Sequence, residues 1–370
     1  MNLQPIQTPI RTPLAAEHEA AGVKLGSWFG CALPDVFTET SAEYRSARES
    51  VALFDKNYRA FFRFTGADRT RFLNATLTNN LRDLAVGHGN VSLLLNPQGH
   101  ILAEIEAYAA AEDILGVSYA MIRESLVATF EKFIIMDDVT LADETDQFGL
   151  LALEGPRASD LVRDVCGVDL AALPELGHAP AHVEQIPLRV VKRSPGGTPG
   201  AEFIAERAQL LSLWCRLLES VRAAGGGPAG YLALNALRIE QGIPWFGYDF
   251  DERHIPHEAG LQDTHISYTK GCYTGQEIVE RVRSRGQVNR LRVGLKIRAA
   301  EPPVPGAPLL VEGKETGYVT RTALSPALGC PVGMGYVRRE NSAPGTHLTC
   351  EETAVEVISL PLAPTQNTAS

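Results

Sequence analysis

The sequence predicts an α+β protein built from three units. Between residues 59 and 145 strand-like and helical stretches alternate, with tight turns at Gly66-Ala67-Asp68 and Asn96-Pro97-Gln98-Gly99. Over 146–228 the order is strand–helix–strand–strand–helix with short connections, the pattern of a ferredoxin-like unit. From Leu291 onward the chain breaks into six short strands punctuated by Gly and Pro, as in a small β-barrel or sandwich.

The elements follow in order. Thr12 is an N-cap, Pro13 suits the first helical position, and Gly22 stops a helix over 12–22. A second helix covers 41–51, and R-A-F-F-R-F-T-G at 59–66 alternates as a strand. The next helix carries Phe72 and Leu73. Strands at 91–95 and 100–107 flank the Asn96–Gly99 turn, and Glu104 lies on the second. A helix over 119–136 has Leu126, Val127, Phe130 and Ile134 on its apolar face. In the second unit strands fall at 148–153, 183–191 and 201–204, helices at 158–166 and 208–223, and residues 167–183 read as loop. Gly225-Gly226-Gly227-Pro228 is a hinge, and a helix over 229–241 stops at Gly242. Residues 1–11 and 363–370 are expected to be flexible tails.

Composition bounds the function. The 370 residues carry a net charge of −10, with 45% hydrophobic and 21% charged residues. Such a chain as a whole does not attract nucleic acid or an anionic membrane. No apolar run approaches the length of a membrane span, and no secretory leader pattern is visible, so a cytoplasmic, monomeric protein is expected. The six cysteines, at 31, 166, 215, 272, 330 and 350, are too dispersed for a zinc finger or a C-x-x-C pair. Residues 270–298 hold eight basic residues against Glu277 and Glu280. That stretch is either an ordinary solvated surface or an attractor for a polyglutamate tail or an RNA backbone.

The most information-dense stretch is K-G-C-Y-T-G-Q-E, Lys270 to Glu277. Thr274 and Glu277 have capping-box spacing, which predicts a helix from about Gly275 to about Arg283. Glu277 and Arg281 then form an i,i+4 pair. Cys272 sits two residues before the cap. It is either a small buried apolar side chain or a thiol activated by the helix dipole and nearby cations. Gly271 and Gly275 allow close backbone approach.

This octapeptide, followed by Arg281, resembles the signature of the YgfZ family, folate-binding relatives of the glycine-cleavage T-protein (aminomethyltransferase). T-L-T-N-N, the N-P-Q-G turn, L-R-I-E-Q-G around Arg238, Trp245 to Asp249 and V-G-M-G-Y-V at Val332 extend the likeness over about 12–362. The resemblance implies the three-domain aminomethyltransferase-like fold. Its folate-binding domain would be discontinuous, 12–145 with 229–285, followed by a ferredoxin-like domain at 146–228 and a C-terminal β-barrel at 288–362. It implies tetrahydrofolate or a one-carbon derivative as ligand. Cys272 and Glu104 would be the catalytic residues, with Lys270, Gly271, Tyr273, Gln276, Glu277, Arg281, Arg238 and Trp245 around the folate. It implies support of iron–sulfur cluster assembly or repair through the motif cysteine, with iron–sulfur client proteins as partners and tRNA modification and tRNA contact through 281–298. The alternatives are a tetrahydrofolate-dependent aminomethyltransferase and a non-catalytic cluster-assembly scaffold. Against the T-protein pattern, Thr198 stands where that family has an acidic turn residue, Asn235 where it has an arginine, and Glu202 one strand step from the family's ligand.

Overall fold

Two large antiparallel-rich sheets, a small three-stranded sheet and a barrel make up the computed structural model, which describes residues 8–361 apart from residue 195. The first sheet is five-stranded. In spatial order its strands are Gly89–Leu95, Ile101–Ala109, Ile114–Tyr119, Arg59–Thr65 and Thr140–Asp143. Strand Ile101–Ala109 alternates as a two-faced strand should. Ala103 and Ile105 enter the main apolar core with Leu93 and Leu95, while Tyr108 packs on the other face against Leu150, Val191 and Ile204 of the second sheet. Glu104 and Glu106 share the face of Tyr108.

The second sheet is six-stranded, ordered His178–Val183, Ile186–Lys192, Gly200–Glu206, Phe148–Glu154, Ala52–Asp55 and Gly227–Pro228. It is larger than the ferredoxin-like unit expected from sequence. Ala52–Asp55, read as part of the first unit, is buried throughout and pairs with Phe148–Glu154. The supposed loop over 167–183 contains strand His178–Val183, and the expected strand 183–191 is two strands that turn at Glu184, which has a φ of +53°.

Ile10–Arg11, expected within a tail, pairs in parallel with Cys31–Val36. Residues 1–7 and 362–370, which include the remaining tail assignments, lie outside the described residues. The hairpin Lys24–Trp28 and Cys31–Val36 turns at Phe29 and Gly30, both at positive φ as a two-residue turn of this hand requires. It plants Phe29 in an aromatic group, stacked on Tyr58 at 4.0 Å, with its amide donating to Tyr248 Oη at 2.8 Å.

The C-terminal strands close into a six-stranded barrel with its own core of Leu295, Ile297, Leu309, Val319 and Val357. Helix Tyr231–Glu240 joins barrel and body, with Ile239 packing on Val332 and Met334. Asn235 Nδ2 donates to the barrel carbonyl of Thr322 at 3.0 Å, and Ser325 donates to buried Glu240. Among the described residues no cysteine is in a disulfide, and no helix is long and apolar enough to cross a membrane.

Candidate active site

Glu104 is 7% exposed and fixed from three sides. Tyr119 Oη donates to Oε2 at 2.7 Å, and His265 Nε2 lies 3.0 Å from Oε1. The backbone carbonyl of Glu104 accepts from Ser118 Oγ at 2.8 Å. Burial by itself would raise the pKa of this carboxyl. The His265 hydrogen bond and charge outweigh it, helped by Tyr119 and Arg193, and hold Glu104 below the usual carboxylate range. Glu104 is therefore an anion in a mostly dry place.

A buried charge cluster adjoins it. The Arg59 guanidinium lies 4.9 Å from the centre of the Tyr119 ring and reaches Glu106 at 2.7 Å. Arg193 meets the same Glu106 oxygen at 2.7 Å, and Lys56 pairs with Glu202. Arg59 Nε, Arg193 Nε and Glu202 Oε2 are buried with no hydrogen-bond partner. Unused donors beside an unused acceptor fit a polar heterocycle that presents both. Glu154, beside Lys56 and Glu202, accepts from the Gly196 amide at 2.7 Å and from Thr198 Oγ1 at 3.1 Å. Burial pushes its carboxyl up to about 7.

Sequence reasoning singled out Glu104 through the resemblance, by its place after the Asn96–Gly99 turn, and named none of the residues that hold it. Glu104 and Glu106 stand at i,i+2 in the otherwise apolar I-L-A-E-I-E-A-Y-A, which puts both on one face of a strand. Tyr119, His265, Lys56, Arg59 and Arg193 come from four distant segments and carry no comparable local pattern. Glu202, expected one step out of place, faces inward to Lys56.

The Lys270–Glu277 motif packs beside the Asn96–Gly99 turn that leads into the Glu104 strand. A Cβ on Gly275 would lie 2.7 Å from the Asn96 carbonyl, and one on Gly99 would lie 2.9 Å from Ile278 Cβ. Lys270 Nζ donates to the carbonyls of Asn74, Leu77 and Asn79, the last at 3.0 Å, and so caps the end of helix Arg69–Thr76. The expected capping box does not form. Gly275, at φ +82°, occupies the N-cap of helix Gln276–Arg285, and no side chain caps it. A left-handed N-cap residue turns the chain so that Thr274 does not reach the helix amides. The Glu277–Arg281 pair forms at 2.7 Å on an exposed face. Tyr273 is buried and its Oη has no hydrogen-bond partner, while Gly271 and Cys272 are exposed and Gln276 is half-buried.

Other expected ligand residues have internal partners. Arg238 is fully buried, bonded to Asp249 and to Asn235 Oδ1 at 2.8 Å, with its guanidinium 4.4 Å from the centre of the Trp245 ring. Trp245 is 6% exposed and belongs to the aromatic core. The basic stretch does not form one surface. Arg281 and Arg283 are spread on a helix and paired with Glu277 and Glu280, and Arg292 is turned inward onto the carbonyls of Ala259 and Gly242. Among the described residues no cluster of His, Cys, Asp and Glu is arranged to hold a metal ion.

Residues 14–268 match the GCVT N-terminal domain, and residues 290–362 match the glycine cleavage T-protein C-terminal barrel domain. The chain belongs to the glycine cleavage T-protein family. The family's likeness runs end to end. An aminomethyltransferase of Rubrobacter xylanophilus is 32% identical over 95% of this chain and 93% of its own. One from Streptomyces avermitilis is 27% identical over 91% and 92%. The crystal structure of the glycine cleavage system aminomethyltransferase T from Bartonella henselae superposes with a TM-score of 0.87 at 25% identity, covering 95% of this chain and 98% of that one. The three-unit T-protein fold with its closed barrel is therefore the fold of this chain.

Proposed function

We propose that this protein is a tetrahydrofolate-dependent one-carbon transferase of the aminomethyltransferase type, working at Glu104. The observation that carries the reading is a buried carboxylate held ionised between His265 and Tyr119, in a chain that aligns throughout with aminomethyltransferases. Tetrahydrofolate, when bound, supplies the nitrogens that accept or release the one-carbon unit. Glu104 supplies a fixed negative charge for positive charge that develops beside it, and an acceptor for a proton. His265 and Tyr119 orient it. Arg59, Arg193 and Glu202 offer the unused donors and acceptor that would hold the ring. The changes at Thr198 and Asn235 do not remove these groups. Both residues have partners inside the protein, Glu154 for the first and Arg238 with Thr322 for the second.

The direct test is an assay of one-carbon transfer onto tetrahydrofolate from an aminomethyl donor. Wild type should turn over, and Glu104→Gln should be slower by at least about 100-fold with the fold intact. Full activity in Glu104→Gln refutes the role of the carboxylate.

A second reading has its own observation. Cys272 is exposed on a loop held rigidly by Lys270 and Gly275, which suits a thiol that meets another protein. On this reading the protein is YgfZ-like: it binds folate and supports iron–sulfur proteins, and through them tRNA modification, by way of the thiol. Complementation of a strain lacking the protein, read by an iron–sulfur enzyme, separates the two. Loss of rescue in Cys272→Ser with one-carbon transfer absent from the wild type favours the thiol. Equal rescue by both forms refutes it.

A further inference from the structure

Among the described residues two side chains hydrogen-bond the Glu104 carboxylate, and only one of them leads to the surface. Tyr119 Oη ends there. Burial and the Glu104 charge raise its pKa well above the ordinary phenol value, so it keeps its proton. The cations nearby, Arg59 over the Tyr119 ring and Arg193, are guanidinium groups, which do not give up a proton in a protein. His265 differs. Its Nε2 lies 3.0 Å from Glu104 Oε1, and its Nδ1 lies 2.7 Å from Thr264 Oγ1. His265 is 7% exposed, whereas Thr264 is open to solvent. The backbone fixes the ring: the His265 carbonyl accepts from buried Thr78 Oγ1 at 2.6 Å, and the Ser267 amide donates to the Thr78 carbonyl at 3.1 Å. Two hydrogen bonds thus join an exposed hydroxyl to a buried carboxylate. Imidazole suits the middle place, because it takes up a proton at one nitrogen and releases one from the other.

The geometry points to His265 as the proton path of the site, a positioning residue that carries protons between Glu104 and water with the Thr264 hydroxyl at its mouth. Outward, the proton on Glu104 Oε1 passes to Nε2. The ring gives its Nδ1 proton to Thr264 Oγ1, and that hydroxyl releases its own proton to water. Glu104 is left ionised and the ring neutral with its proton on Nε2. The reverse passage delivers a proton inward and resets the ring. The inference rests on the function proposed above only for the reaction that uses the proton: with a ligand over the carboxylate, the protein side is the way out.

Carbon-13 relaxation dispersion on the full chain, labelled at its glutamate carboxyls, reads the rate at which Glu104 gains and loses a proton at about pH 5, where a small fraction is protonated. The signal missing from Glu104→Gln identifies it. Thr264→Val leaves the contact between His265 and Glu104 in place. His265→Gln keeps a donor to Glu104 but passes no proton on. Each should exchange at least about tenfold more slowly than wild type, and Thr264→Ser should restore the rate. Exchange as fast as wild type in either Thr264→Val or His265→Gln would overturn the path. In the one-carbon transfer assay Thr264→Val should lose kcat while KM for tetrahydrofolate stays the same. Slowed exchange in both variants of a protein that transfers no one-carbon unit keeps the path and removes the proposed function.

Discussion

Glu104 and Glu154 are both buried carboxylates, yet their surroundings drive them in opposite directions. Glu104 is held below its ordinary range, so the folded state keeps it ionised where the unfolded chain, near the ordinary value of about 4.3, begins to protonate. Its contribution to stability is full above that value and is lost as pH falls through the lower folded one. Glu154 is raised to about 7, so the folded state binds the extra proton. Its contribution is full below about 4.3 and is lost as pH rises towards about 7. Glu154→Gln keeps an acceptor for the Gly196 amide and removes the titration. The variant should melt at least about 2 °C above wild type at pH 8 and show a flatter profile from pH 5 to 7, measured by thermal denaturation. A profile as steep as wild type would assign the titration elsewhere. At this scale the sequence was partly legible. Glu104 was reached through the resemblance, by its place after the Asn96–Gly99 turn, whereas Glu154 reads as any strand-end glutamate, because the burial that raises its pKa comes from segments distant in sequence.

The motif segment is the element on which the site's outer edge depends. Gly275 combines a φ of +82° with a Cβ position 2.7 Å from the Asn96 carbonyl, so Gly275→Ala meets both strain and a clash. Denaturant unfolding should show a loss of about 1–3 kcal/mol. A loss under about 0.5 kcal/mol, the range of an ordinary surface change, would contradict the close packing. Lys270→Met should cost a similar amount, about 1–3 kcal/mol, because three carbonyls lose their buried donor. It should also accelerate amide exchange in residues 74–79 more than in the barrel. Helix Gln276–Arg285 was expected from the Thr274–Glu277 spacing, and it forms although that capping box does not. The capping-box pattern assumed an extended residue at the cap, and close approach to Asn96 required a left-handed glycine instead. The hairpin around Phe29 was invisible for a related reason, since its turn places a phenylalanine at positive φ and carries no Asn-Gly or Asp-Gly signal.

Across the whole molecule, the two sheets and the barrel meet through buried polar contacts as well as apolar ones. Asn235 ties helix Tyr231–Glu240 to the barrel through Thr322 and to Arg238 at once. Asn235→Ala leaves the Arg238 guanidinium short of a partner and should destabilise the protein by about 1–3 kcal/mol. If helix and barrel part before the sheets, the unfolding transition should also broaden. Three units were legible because each has its own periodicity. The sharing of strand Ala52–Asp55 was not, because a four-residue apolar run fits either sheet and only its partners decide. On the proposed function, the anionic Glu104, held among segments distant in sequence, governs a folate. This role is tested most directly by titrating tetrahydrofolate into wild type and Glu104→Gln at pH 7 by calorimetry, with Cys272→Ser as the comparison. Wild type and Cys272→Ser should bind saturably, and Glu104→Gln should bind at least tenfold more weakly. Absence of binding by folded wild type, or equal affinity in all three, would contradict it.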